Sequence, residues 1–131
     1  MKQKILKGKI VAGAGEAAFF TRLDWVRSQC QDKLDFDPYP GTLNLELTKE
    51  DVPILEELKR EASISLIPPD PNFCEAKTTK VKIGAISGAI IVPHEDVNVH
   101  GKNVIEILAP VMIKSSLNVD NGDIISVEIE L

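Results

Sequence analysis

The sequence predicts a mainly β fold with short helices, arranged as a small closed barrel that carries the helices as insertions. Three observations point there. About seven or eight short stretches read as strands, by alternation or by apolar run, with turn residues punctuating them closely. Only about two or three stretches read as helices, and no long strand–helix–strand unit occurs, which argues against a doubly wound parallel sheet. At 131 residues the chain can build one core but not two, so residues 1–131 are read as a single domain.

Lys4–Ala12 reads as a strand that stops at Gly13-Ala14-Gly15, a loop by composition. Ala17–Leu23 is expected to return as a second strand. Asp24 is read as the N-cap of a helix running to Leu34, with Val26, Cys30 and Leu34 along one stripe. Tyr39-Pro40-Gly41 then delivers the backbone into a strand over Thr42–Leu47. Asp51 is read as the cap of a second helix, with Pro53 in its first turn and Ile54, Leu55 and Leu58 as its buried face. Ser63–Ile67 is a short strand, ended by a proline-rich run at 68–72 that no helix or central strand tolerates.

Beyond that run, Ala76–Ile83 alternates and Ala85–Val92 is a buried apolar run, so both are expected to be strands. His94–Lys102 is a polar loop, and Val104–Ala109 a strand closed by Pro110. Ile113–Leu117 makes a turn or short helix, Asp120–Asp123 a tight turn, and Ile124–Glu130 a strand with strict period two.

Composition narrows the function classes. A net charge of −5 argues against a general nucleic-acid binder. The charge is uneven: residues 1–34 carry seven Lys/Arg against three acids, a local +4 that leaves −9 for the rest. This basic quarter either attracts a phosphate-bearing small molecule or is a solvated face. No apolar run reaches the roughly 18 residues of a membrane span, and the N-terminus lacks a signal-peptide core. Cys30 and Cys74 stand far apart without metal-ligand neighbours, so reduced structural thiols in a cytoplasmic protein are expected.

Three features carry candidate chemistry. Thr42 and Asn44 fall on one face of their strand, while Leu43 and Leu45 fall on the other. Two neutral oxygen-bearing side chains after a rigid turn are either an ordinary polar strand end or a ligand pair for a hard cation. Mg²⁺ suits such a partial site, because it keeps several waters and takes other ligands from substrate phosphates. Glu106 interrupts the apolar run Val104–Leu108 and either faces solvent or serves a site. Gly13-Ala14-Gly15-Glu16-Ala17-Ala18 fits G-x-G-x-x-G/A literally, but the loop does not open a helix inside a βαβ unit, so a Rossmann site is set aside. What survives is general: small residues let a backbone approach a ligand, and N–H groups in such a loop can bind phosphate oxygens.

Taken together, these segments resemble the archaeal CTP-dependent riboflavin kinases. The resemblance is carried by G-A-G-E-A-A-F-F at 13–20, D-F-D-P-Y-P-G-T-L-N-L-E-L at 35–47 and G-A-I-I-V-P at 88–93. V-I-E-I-L-A-P at 104–110 and L-N-V-D-N-G-D at 117–123 complete it, in order and over nearly the whole chain. It implies a cradle-loop β-barrel and transfer of the γ-phosphoryl of CTP to the 5′-hydroxyl of riboflavin, giving FMN and CDP with Mg²⁺. Carried over residue by residue, it implies Mg²⁺ on Thr42 and Asn44. It implies the nucleotide along Ala14, Gly15, Glu16, Ala17, Ala18 and Phe19, closed on its other side by Val111, Met112, Ile113 and Lys114. Flavin contacts would come from Asn98, His100 and Glu106, with Glu106 as the catalytic carboxylate. Where the family loop commonly has Gly followed by Arg or a small residue, this chain has Ala17 and Ala18. The expected partners are CTP/CDP and riboflavin/FMN, without nucleic acid or membrane, and the chain is expected to act as a monomer. Two other readings stand beside the enzyme: a non-catalytic flavin- or nucleotide-sensing barrel, and a related barrel that binds DNA.

Overall fold

Along the last strand, β7 (Ile124–Glu130), burial alternates: Ile125, Val127 and Ile129 turn inward while their neighbours stay outside. The same parity recurs around the molecule and defines its interior. The computed structural model describes residues 3–13, 21–69, 75–92 and 104–130. Within them the strands are β1 (Gln3–Val11), β2 (Leu43–Leu47), β3 (Ile64–Leu66), β4 (Ala76–Ile83), β5 (Ile86–Val92), β6 (Val104–Leu108) and β7. The helices are α1 (Asp24–Gln29), α2 (Val52–Glu61) and α3 (Ile113–Leu117).

The sheet runs β3-β4-β5-β6-β2-β1-β7, and every paired neighbour is antiparallel. A further pairing, Val81 with Ile129 and Lys82 with Glu128, joins β4 to β7. That contact closes six strands into a barrel and leaves β3 outside as an added edge. The inward residues Leu6, Leu45, Val81, Ile90, Ile105 and Val127 fill the interior. Leu55 and Leu58 of α2 and Ile113 of α3 belong to the same cluster, so these helices complete the barrel's core.

The outer wall carries a second, smaller cluster. Ala89 and Leu108 point outward from β5 and β6 and pack with Val26, Cys30, Leu34 and Leu66. The expected stripe at Val26, Cys30 and Leu34 is therefore what holds α1 to the barrel. From Cys30 to Leu34 the helix widens into a π-helical turn and ends at Asp35, where φ is 65°. The wider turn sets back the angular drift that an α-helix accumulates at four-residue spacing, so all three side chains stay on the sheet. Burial pushes the Cys30 thiol up to about 11, and it is a free thiol. Cys74 lies outside the described residues.

Several local expectations are corrected. Thr21 and Arg22 have helical backbone, so the stretch expected as a second strand over Ala17–Leu23 does not end as one; its residues 17–20 lie outside the described residues. Thr21 is fully buried and its hydroxyl accepts a backbone hydrogen bond, which ties it down locally. The cap of α1 is Leu23 rather than Asp24; Asp24 sits in the first turn, where its charge suits the helix dipole. Asp51 is the N-cap of α2, but its carboxylate does not cap its own helix. Instead Oδ2 accepts the Lys7 N–H at 2.8 Å, tying α2 to β1. An ion pair between Lys4 and Glu57 adds a second tie between the same elements. The 94–102 loop lies outside the described residues.

The exposed edge at β3 is covered by side chains. Gln29 donates to the Ile67 carbonyl at 2.6 Å and accepts the Ile67 N–H at 2.7 Å, as a neighbouring strand would. Lys33 donates to the Ser65 carbonyl at 2.6 Å. Such pairing blunts an edge that would otherwise invite another chain. It also answers the charge question in part. Lys4, Arg27 and Lys33 of the basic N-terminal quarter are engaged within the fold.

Candidate active site

The site begins at the turn before β2. Gly41 has φ of +113°, and a Cβ placed there would meet nothing within 4 Å. The need for glycine is thus conformational rather than steric. The turn is pinned on both sides. Tyr39 donates its N–H to the Ala109 carbonyl at 2.8 Å, and Gly41 donates its N–H to Thr21 Oγ1 at 2.8 Å. Just upstream, Arg27 grips Asp37 with two hydrogen bonds, at 3.0 and 2.8 Å. The Arg27 guanidinium holds the Asp37 carboxyl below the usual carboxylate range.

Thr42, immediately before β2, and Asn44 within it project from the outer wall, since Leu43, Leu45 and Leu47 occupy the interior. Asn44 faces Glu106 of β6 across the antiparallel register, which puts both side chains on one face. Thr42 stands diagonally beside them and donates its hydroxyl to Glu106 Oε1 at 2.9 Å. The three oxygen-bearing side chains therefore form one cluster. Thr42 and Glu106 are half-buried, while Asn44 is only 7% exposed.

Asn44 Oδ1 has no hydrogen-bond partner among the described residues, although it is buried. Leaving a buried polar group unpaired costs about 1–3 kcal/mol, so such an atom points to a ligand that completes it. The donor set fits a hard divalent cation: a carboxamide oxygen, a hydroxyl oxygen whose proton is already given away, and a carboxylate beside them. The amide of Asn44 lies against Gly13, where a Cβ would sit 2.3 Å from Asn44 Nδ2. Gly13 is therefore small in order to admit Asn44.

Next to this cluster opens a pocket of about 140 Å³. The 39–43 turn lines one side and Val111, Met112, Ile113 and Lys114 line the other. Its volume suits one ring or a sugar rather than a whole nucleotide, because sites for drug-sized ligands run to about 300 Å³ or more. Tyr39, Val111 and Met112 leave apolar surface exposed at its mouth. Lys114 is held by Asn121 from the 120–123 turn, Nζ to Oδ1 at 2.6 Å.

The structure thus unites Thr42, Asn44 and Glu106, and sets Val111–Lys114 in the adjoining pocket. Ala14, Gly15, Glu16, Ala17, Ala18 and Phe19, with Asn98 and His100, lie outside the described residues. Thr21 is a site-shaping residue that sequence reasoning did not single out, while Tyr39 was read only as part of the turn and Gly13 only as part of a small-residue loop. An aromatic residue between two prolines was the available signal for Tyr39. For Thr21 there was none. Among the described residues no group of three or more His, Cys, Asp or Glu could hold a metal, and no helix is long and apolar enough to cross a membrane.

Fold and site together define a small closed antiparallel barrel with a polar cluster and a pocket on its outer wall. A family model named CTP-dep_RFKase, described as "Domain of unknown function DUF120", matches residues 10–129. The chain belongs to this family. Riboflavin kinase of Archaeoglobus fulgidus is 35% identical over 129 residues, covering 96% of this chain and 54% of that protein. Riboflavin kinase of Pyrobaculum aerophilum is 38% identical over 130 residues, covering 96% and 60%. The chain thus spans little more than half the length of these two relatives. It matches nearly the whole of riboflavin kinase from Methanobrevibacter smithii, 32% identical over 124 residues, covering 94% and 98%.

Proposed function

We propose that the chain is a riboflavin kinase that uses CTP, forming FMN and CDP with Mg²⁺. The observation that carries this reading is the cluster of Thr42, Asn44 and Glu106 on one outward face beside a pocket. Relatives named riboflavin kinase, one of them matched over nearly its full length, support the same assignment.

Phosphoryl transfer needs little covalent help from a protein; it needs alignment and charge neutralisation. A bound Mg²⁺ would supply neutralisation of the triphosphate, and Asn44 Oδ1 with Thr42 Oγ1 would hold it. Because Thr42 gives its proton to Glu106, its lone pairs are left for a cation. Glu106, fixed by that bond, would orient the riboflavin 5′-hydroxyl or accept its proton, as a positioned carboxylate can. Val111–Lys114 and the 39–43 turn would enclose part of the nucleotide, with Ala14–Phe19 on its phosphate side. Asn98 and His100 would contact the flavin.

The test is incubation of the chain with riboflavin, CTP and Mg²⁺, with FMN followed by chromatography. FMN formation that needs the divalent ion is the expected result. No FMN with CTP, UTP or ATP would end the kinase reading, and tight flavin or CDP binding beside a dead assay would make the chain a sensor barrel.

A further inference from the structure

The approach to Thr42 is anchored at every second residue: Asp37 by Arg27, Tyr39 by Ala109, and Gly41 by Thr21. Two of the three anchors come from α1 and the residues just before it. Gly41 is the loosest link, because its φ of +113° lies where only glycine moves without strain. A single side-chain acceptor restrains it, and that acceptor, Thr21, is 0% exposed.

We propose that Thr21 is a positioning residue for the site: its buried hydroxyl fixes the Gly41 peptide and thereby the place of the Thr42 oxygen. This inference rests on the reading that Thr42 holds the divalent ion. Valine matches threonine in shape but cannot accept the Gly41 N–H, whereas serine can. Without the acceptor, Gly41 regains its freedom one residue ahead of Thr42, and the Thr42–Glu106 pair is no longer presented in one geometry.

The experiment compares Thr21→Val and Thr21→Ser in the full chain, reading Mn²⁺ binding in the presence of CDP by electron paramagnetic resonance. Thr21→Val should weaken Mn²⁺ binding about five- to tenfold, the loss expected for one hydrogen bond, and Thr21→Ser should restore it. In turnover, Thr21→Val should lower kcat while leaving KM for riboflavin unchanged. Amide exchange supplies a readout that needs no variant: the Gly41 N–H of the wild-type chain should be protected, and rapid exchange there would overturn the proposal. Equal losses in both variants with a lowered melting temperature would reduce Thr21 to a packing residue and overturn it too. Thr42→Ala separates the two layers. If that variant binds Mn²⁺ normally, the metal reading has failed; if it loses Mn²⁺ while Thr21→Val keeps it, the Thr21 inference alone falls.

Discussion

Gly13→Ala tests the metal role proposed for the Asn44 carboxamide without replacing a proposed ligand. Gly13 is not among the glycines with positive φ, so alanine is compatible with the backbone. In the unfolded chain the change removes conformational freedom, which favours folding by about 0.4–1 kcal/mol. The cost falls on Asn44. The new methyl carbon would sit 2.3 Å from Nδ2 and 3.0 Å from Cγ, about 1 Å short of ordinary contact. Asn44 is 7% exposed and has little room to yield, so its amide must leave its rotamer, at roughly 0.5–1.5 kcal/mol, or swing off the face it shares with Glu106. The two stability effects nearly cancel, and melting should move by only a few degrees. Activity should not survive so well, since a misplacement of about 1 Å can cost about 10²-fold. The assay pairs steady-state FMN formation with Mn²⁺ binding by paramagnetic resonance, and thermal melting serves as the fold control. Wild-type turnover and Mn²⁺ affinity in Gly13→Ala would refute the assignment of Asn44 to the ion.

Arg27→Gln should change the acid side of the stability profile. Asp37 has its folded pKa lowered by Arg27, so its contribution is present above the ordinary carboxylate pKa of about 4 and is lost as pH falls through the depressed folded value. Melting temperatures from about pH 3 to 6 should therefore separate wild type from variant most at the upper end and converge at the lower. Cys30, with its pKa raised to about 11, should resist alkylation at neutral pH until the chain unfolds, as read by peptide mass spectrometry. Its sign is opposite to that of Asp37: stability should fall as pH rises from the ordinary thiol value toward 11, a trend abolished in Cys30→Ala. Gln29→Ala removes both bonds to Ile67 and should lower the melting temperature by about 3–6 °C, with faster aggregation on heating from the uncovered β3 edge.

Much of the barrel was legible because its strands obey simple parity. Ile124–Glu130 alternates plainly, Ala76–Ile83 alternates except where Thr78 and Thr79 are both buried, and the stripe Val26, Cys30 and Leu34 buries as spacing demands. The side of Thr42 and Asn44 followed from the same parity. What could not be read is pairing. Nothing local in Val104–Leu108 says that Glu106 lies opposite Asn44 rather than Leu43, because a one-residue slip reverses every face. The contacts of polar side chains were equally hidden. Asp51 looks like a cap, yet its carboxylate bonds the Lys7 N–H, 44 residues away. Gly13 looked like room for a ligand, and in the fold it is room for Asn44.

Placing Thr42, Asn44 and Glu106 outside a cylinder filled with aliphatic side chains separates two kinds of selection. Substitutions that retune chemistry on the wall need not open voids beneath it, since each strand gives alternate positions to each task. Such a scaffold tolerates experiment: new specificities can be tried on one surface while the same interior keeps the chain folded.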